Sequence, residues 1–288
     1  MGSTYAVTAI DGVAFGLLLF VVAAGLALVF GVMDVLNLAH GTLYLLGAYL
    51  AYLLVGKDLL GLGLALVVGV AAGAVGGAGL AVLLRPLGSN HLDQSLVTLG
   101  VTFLAADAFN TLFGGAPLPA DPPTMLDGRL EILGHGYPVY RLVFIGVAAL
   151  IALALHVGLR HTTAGLLLRA SVSDAGMAAA SGIHAGRVRT AALAVGGVLA
   201  VIGGVLGAPL IGPAPGVDTT VLVLSLIVVV IGGAGSIPGT LGAALLVGQV
   251  QTVGILAAPT LAPFALFGAL LLVLVLRGSA TPTRLRTA

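Results

Sequence analysis

The chain has 288 residues, 59% hydrophobic and 7% charged, with a formal net charge of +1 and a mean hydropathy of +1.21. Soluble domains carry about 25% charged residues, so this composition excludes a surface built for water and fits a solvent of lipid tails. The chain has no cysteine, which excludes disulfides, thiolate catalysis and Cys-based metal or haem sites.

Apolar runs long enough for a hydrocarbon core of about 30 Å recur along the sequence. They predict spans near 12–31, 38–55, 60–84, 94–113, 141–159, 190–210, 218–232, 239–258 and 262–276. The expected fold is an all-α polytopic bundle of about eight or nine transmembrane helices within one domain, 1–288. One of them is expected to be broken or re-entrant, because the first two spans are joined by only a few residues around Asp34 and Asn37. The first span is not read as a signal peptide, since residues 1–11 contain no Lys or Arg.

Between spans one and two, Asp34, Asn37 and His40 recur at i, i+3 and i+6 among apolar residues. Polar groups at that depth need partners or water. They line a solute path, or they hold a broken helix together; for His40 the second reading is a hydrogen bond to a neighbouring helix. In span three Gly69, Gly73 and Gly77, and in span six Gly196, Ala200, Gly204 and Ala208, stand four apart and predict close helix packing. In span four Thr98 and Thr102, with Ser95 less well aligned, share a helical face. Asp107 is the clearest charged residue within a span.

A basic connection runs from Arg160 to Arg189, with Arg169 and Arg187 and the single acid Asp174. Together with Arg85 and the tail (Arg277, Arg284, Arg286) it marks the cytoplasmic side and puts the C-terminus there, with Lys57–Asp58 and the 114–140 loop opposite. Tyr5, Tyr49, Tyr52, Tyr137 and Tyr140 then fall near the outer interface, where amphipathic rings settle. Within the connection, 175–180 is helix-compatible and Ser173 or Asp174 is its cap. It is either a solvated face or a short helix that docks on a cytoplasmic partner. Between spans seven and eight, Gly232-Gly233-Ala234-Gly235-Ser236-Ile237-Pro238-Gly239 predicts a tight turn at a helix break. No basic residue is nearby to make it a phosphate site.

Other chemistry is not encoded. The only lysine, Lys57, is followed by Asp58, so there is no Walker motif and ATP hydrolysis is not expected. No metal-ligand spacing appears, and no intramembrane carboxylate relay supports an ion-driven carrier.

Three stretches carry a resemblance to a known family. The run from Gly25 to Gly47 includes Phe30-Gly31 and Asn37-Leu38-Ala39-His40-Gly41. The basic connection has Gly165, Arg169-Ala170, Asp174, Gly182-Ile183 and Arg187-Val188, and the Gly-rich turn is the third. In this order they resemble the permease subunits of branched-chain amino acid ABC importers (LivH-like, of the binding-protein-dependent inner-membrane family), with the related urea and amide permeases. The resemblance implies a bacterial inner-membrane protein that moves branched-chain or other hydrophobic amino acids by alternating access. It implies a second homologous permease, two cytoplasmic ATPase subunits that hold ATP and Mg, and a periplasmic solute-binding protein. No cofactor, metal, nucleic acid or catalytic residue is expected in the chain itself. Gly165, Arg169, Ala170, Asp174, Gly182 and Ile183 would form the segment seated in the ATPase. Candidate pathway residues are Asn37, His40, Gln94, Ser95, Thr98, Thr102, Asn110, Ser225 and Gln249. The rival readings are a urea or short-amide permease, an ATP-independent channel, and a membrane enzyme or respiratory subunit.

Overall fold

In a computed structural model, residues 2–56, 58–88 and 90–280 are described. Lys57, Arg284 and Arg286 lie outside these residues, as does the side chain of Arg277. The helices are α1 (Gly2–Met33), α2 (His40–Leu54), α3 (Leu59–Leu84), α4 (His91–Phe113), α5 (Val139–His161), α6 (Thr163–Ser173), α7 (Ala175–Ala180), α8 (Ala185–Gly207), α9 (Val217–Gly232), α10 (Ile237–Gln249), α11 (Ile255–Ala257) and α12 (Ala262–Ala280). A π-helical turn, Val250–Gly254, joins α10 to α11. Two short strands, β1 (Arg129–Ile132) and β2 (His135–Pro138), pair antiparallel.

Six helical segments among the described residues are long and apolar enough to cross a membrane: Gly2–Met33, Leu59–Leu87, His91–Phe113, Val139–His161, Ala185–Gly207 and Ile237–Ala257. The chain is therefore an all-α, multi-pass membrane protein. The other three expected spans are shorter. The second shrinks to the 15 residues of α2, which rise only about 22 Å; α9 has 16 residues; the last has an apolar stretch of Phe264–Val275.

α1 lies at the centre and is apolar on every side, as a helix surrounded by other helices is. Leu18 to Leu26 are buried without interruption, against α8, α10, α9 and α5. α8 is the second buried helix, and its small residues work as their spacing predicts. A Cβ on Gly73 would stand 2.6 Å from the Gly197 carbonyl oxygen, and one on Gly77 would stand 2.1 Å from that of Leu193. Across the other faces of α8, Gly196 meets Gly25 of α1 and Gly204 meets Tyr44 of α2. In lipid, where apolar side chains gain little by leaving the solvent, such backbone approach supplies the contact that holds helices together.

The two ends of the bundle differ. One end carries the β-hairpin, which its sequence did not announce. Leu133 and Gly134 both have positive φ (52° and 79°), which makes the two-residue turn type I′ with an unusual Leu at its first position. β2 packs on α1, and Tyr137 donates to the Asp11 carboxylate at 2.9 Å; Arg141 pairs with the same carboxylate. Burial, then the bond to Asp11, holds the Tyr137 hydroxyl well above its ordinary pKa. The expectation of an outer belt of tyrosines needs correction here. Tyr5 and Tyr52 are exposed, but Tyr49, Tyr137 and Tyr140 are buried. Tyr49 stacks on Phe113 with ring centroids 4.0 Å apart, and Tyr140 donates to the Leu206 carbonyl at 2.7 Å. Satisfied hydroxyls let Tyr137 and Tyr140 fill gaps between helices instead of facing lipid. The opposite end carries α6 and α7 and is called the loop end below.

Candidate functional site

α1 ends at the loop end with Asp34 in the left-handed region (φ 53°), a conformation that Asp tolerates better than most residues. Its amide closes the helix on the Phe30 carbonyl at 2.8 Å. The chain then turns back into the bundle without forming a helix. The Asp34 carbonyl is met by His91 Nδ1 at 3.0 Å, and the Leu38 amide donates to Thr98 Oγ1 at 3.1 Å. The single Thr98 hydroxyl proton goes to the Ser95 carbonyl at 2.8 Å, and the Leu36 carbonyl stands 3.4 Å away. Thr98 is thus the point of α4 on which the non-helical segment rests.

α2 starts where this climb ends. His40 Nε2 lies 2.9 Å from the Val22 carbonyl. Val22 is eleven residues before the end of α1, about 16 Å along its axis. The first turn of α2 therefore begins midway through the bundle, as a broken element, and His40 is the hydrogen-bonded anchor of that start. Its other nitrogen, Nδ1, is buried without a partner, as are Asn37 Oδ1, Thr42 Oγ1, Tyr44 OH and Ser225 Oγ.

The candidate pathway residues divide accordingly. Asn37, His40 and Thr98 meet at the break and are buried. Thr102 Oγ1 donates to the Thr98 carbonyl and Ser95 Oγ to that of His91, so both bonds stay within α4. Gln94 bonds the Gly88 carbonyl at 2.7 Å and accepts from Arg189 at 3.3 Å, near the loop end. Ser225 is buried in α9. Asn110 is exposed near the hairpin end of α4. Gln249 joins α10 to the Ala9 carbonyl of α1, remote from the break. Asp107 lies within α4, where it is exposed, whereas Asp218, at the start of α9, is 4% exposed. Spans this apolar show no polar face, so periodicity could not say which carboxylate turns inward.

At the loop end, the local signals hold. Thr162 caps α6 by accepting from the Gly165 amide at 3.1 Å. Gly165 must be glycine, since a Cβ would stand 2.2 Å from the Leu159 carbonyl oxygen. Arg169 turns back to the Gly165 and Arg160 carbonyls and ties α6 to the end of α5. Ala170 accepts the Asp174 amide at 3.1 Å, and Ile183 closes α7 on the Ala178 carbonyl at 3.0 Å. Asp174 caps α7, accepting from Met177 at 2.9 Å, and Gly182 supplies the positive φ (87°) that ends it. Leu166 and Met177 remain exposed on this connection.

The Gly-rich turn is the expected helix break. Gly233 and Gly235 have positive φ, Ser236 caps α10 by accepting from Gly239, and Pro238 lies in the first turn of α10. Gly232 and Gly239 touch backbone to backbone, a Cβ on Gly239 standing 2.1 Å from the Gly232 carbonyl oxygen. The Gly235 amide donates to the Ala27 carbonyl of α1 at 3.2 Å. Val172 of α6 lies against both Gly31 and Gly235. One side chain of the loop thus touches the end of α1, just before the first break, and the second break.

Two cavities open towards opposite ends. One of about 530 Å³ is lined by Ala51, Tyr52, Asp121, Asp127, Tyr140 and Val205 at the hairpin end. One of about 210 Å³ at the loop end is lined by Met33, His91, Gln94, Ser171, Ile183 and Arg189. Among the described residues no group of His, Cys, Asp or Glu is placed to hold a metal.

A helical bundle interrupted at mid-depth by a buried polar break, with a connection at one end set against the end of α1 and the Gly-rich break, fits a membrane permease. The chain matches, over residues 8–276, the family described as branched-chain amino acid transport system / permease component, and it belongs to that family. It is 26% identical over 256 residues to the high-affinity branched-chain amino acid transport system permease protein LivH of Escherichia coli (strain K12), covering 83% of this chain and 82% of the relative. It is 25% identical over 258 residues to LivH of Salmonella typhimurium, covering 84% and 83%. To BraD of Pseudomonas aeruginosa, of the same printed function, it is 26% identical over 261 residues, covering 85% and 84%. No solved structure matches.

Proposed function

We propose that this chain is one permease subunit of an ATP-driven importer for branched-chain or similar hydrophobic amino acids in a bacterial inner membrane. Its loop end is cytoplasmic, a reading that the arginines of 160–189 support, and so is its C-terminus. A second, homologous permease completes the pathway, a solute-binding protein delivers at the hairpin end, and two separate ATPase subunits bind at α6–α7. Closure of the ATPase dimer pushes α6. Val172 passes that push to Gly31 and Gly235, and the two breaks then open the bundle alternately to either side. Asn37, His40, Thr98 and Ser225 are the pathway residues this reading favours.

The observation that supports it is the position of Val172 beside both the end of α1 at Gly31 and the Gly-rich break at Gly235. A loop that served topology alone would have no need to touch them. The exposed apolar Leu166 and Met177 beside it are the surface an ATPase would cover. The test is uptake of labelled leucine into proteoliposomes containing the whole assembly. Val172→Ala should lower uptake several-fold with basal ATP hydrolysis retained; unchanged uptake contradicts the coupling route.

A further inference from the structure

Beyond the backbone contact of Gly77 with Leu193, towards the loop end, α3 and α8 leave a cavity of about 640 Å³ between them. Three arginines line it: Arg85, in the turn that follows α3, and Arg187 and Arg189 of α8. His184 lines it too, and no lining residue is acidic. The one ion pair among the described residues is that of Arg141 with Asp11, so none of the three arginines has a carboxylate partner. Arg189 is half-buried and turned to the neutral side chain of Gln94 at 3.3 Å, while Arg85 and Arg187 are exposed. His184 precedes α8 without giving it a side-chain cap, so the positive end of that helix faces the same space. Topology asks for basic residues at this end, but not that they gather on one cavity with no acid to balance them. Like charges gathered in this way repel one another, and an anion among them removes that cost.

The wall beside the arginines is apolar. Val82 of α3 lines the cavity and is 70% exposed. Val75, about two turns earlier on the same helical face, is 72% exposed. The anion that fits this surface carries its charge at the loop end and hydrocarbon along α3.

We propose that the cavity holds the headgroup of an anionic phospholipid, with its phosphate among Arg85, Arg187 and Arg189 and its acyl chains along the Val75–Val82 face of α3. Guanidinium forks meet phosphate oxygens in pairs, and basic pockets between membrane helices take such headgroups. A lipid seated there ties α3 to α8 where their backbone contact has ended. The site needs only that these helices cross a membrane, and it depends neither on the solute nor on the ATPase contact proposed above.

The purified chain in detergent is titrated with phosphatidylglycerol and, separately, with phosphatidylcholine, and bound lipid is read by native mass spectrometry. Phosphatidylglycerol should bind more tightly by about tenfold or more. Arg85→Gln and Arg187→Gln should each weaken it about fivefold, and Arg187→Lys should retain most of it. Both positions are exposed, so either variant serves if the other does not fold. Arg160→Gln, which removes the same charge at the same end but outside the cavity, should leave binding unchanged. Equal binding of the two lipids, or a loss in Arg160→Gln as large as in Arg187→Gln, overturns the proposal. So does glycerol 1-phosphate bound as tightly as the lipid, which would mark a site for soluble phosphates. In the assembled importer the lipid should remain; its loss on assembly would show that a partner subunit fills the cavity and would overturn the proposal as well.

Discussion

Replacing Gly77 by Ala adds one methyl group to the seam between α3 and α8. The new carbon would stand 2.1 Å from the Leu193 carbonyl oxygen and 2.8 Å from Ala194 Cα. Both are backbone atoms, so neither can rotate away. Ordinary contact begins at 3.4 Å, so the helices must part locally by up to 1.3 Å. A gap of 0.5–1 Å already forfeits a quarter to a half of each atom pair's attraction, and overpacking of this kind costs about 1–3 kcal/mol. A loss near 2 kcal/mol lowers the unfolding midpoint by roughly 4–8 °C for a chain of this size. Gly79, on the same helix, meets nothing within 4 Å, and Gly79→Ala should be neutral or stabilising by up to about 1 kcal/mol. Thermal unfolding of the purified chain in detergent, followed by circular dichroism, measures both. Equal midpoints for the two variants would refute the assignment of this seam.

Thr98→Val removes the acceptor of the Leu38 amide and should cost about 1–3 kcal/mol; Thr98→Ser should restore stability, as the same unfolding assay reads. His40→Ala removes a fully buried ring and its bond to the Val22 carbonyl. It should cost about 2–5 kcal/mol, seen as a lower yield of folded protein and a lowered unfolding midpoint. The raised pKa of Tyr137 means that the folded chain keeps this proton after the unfolded chain has lost it near pH 10. Its contribution is therefore complete below pH 10 and declines above it; Tyr137→Phe should make the alkaline fall in stability shallower.

Much of this architecture is readable from residues, for definite reasons. The nine apolar stretches appear because hydrocarbon tolerates little else. The Asp174 cap of α7 and the Ser236–Pro238 start of α10 are local chemistry, and local chemistry is written in sequence. The glycine seams show in their four-residue spacing. The break before α2 shows as well, because Asp34 and Asn37 interrupt the apolar run; the depth at which α2 starts does not, because no local signal says how far 34–39 climbs back into the bundle. Nor does the inward turn of Asp218, since a helix apolar on all sides shows no face. The hairpin stays hidden because Leu-Gly stands where Asn-Gly would have announced its turn. The buried tyrosines escape for another reason: their partners are backbone carbonyls, aromatic rings and a carboxylate far away in the chain.

The central claim is that the connection bearing Leu166 and Met177 faces the cytoplasm and meets an ATPase there. With no cysteine in the natural sequence, Met177→Cys gives a single thiol at an exposed position. In intact cells a membrane-impermeant maleimide should leave this thiol unlabelled and should label it after lysis. In the assembled importer an ATPase subunit should cross-link to it. Labelling from outside intact cells would contradict the account.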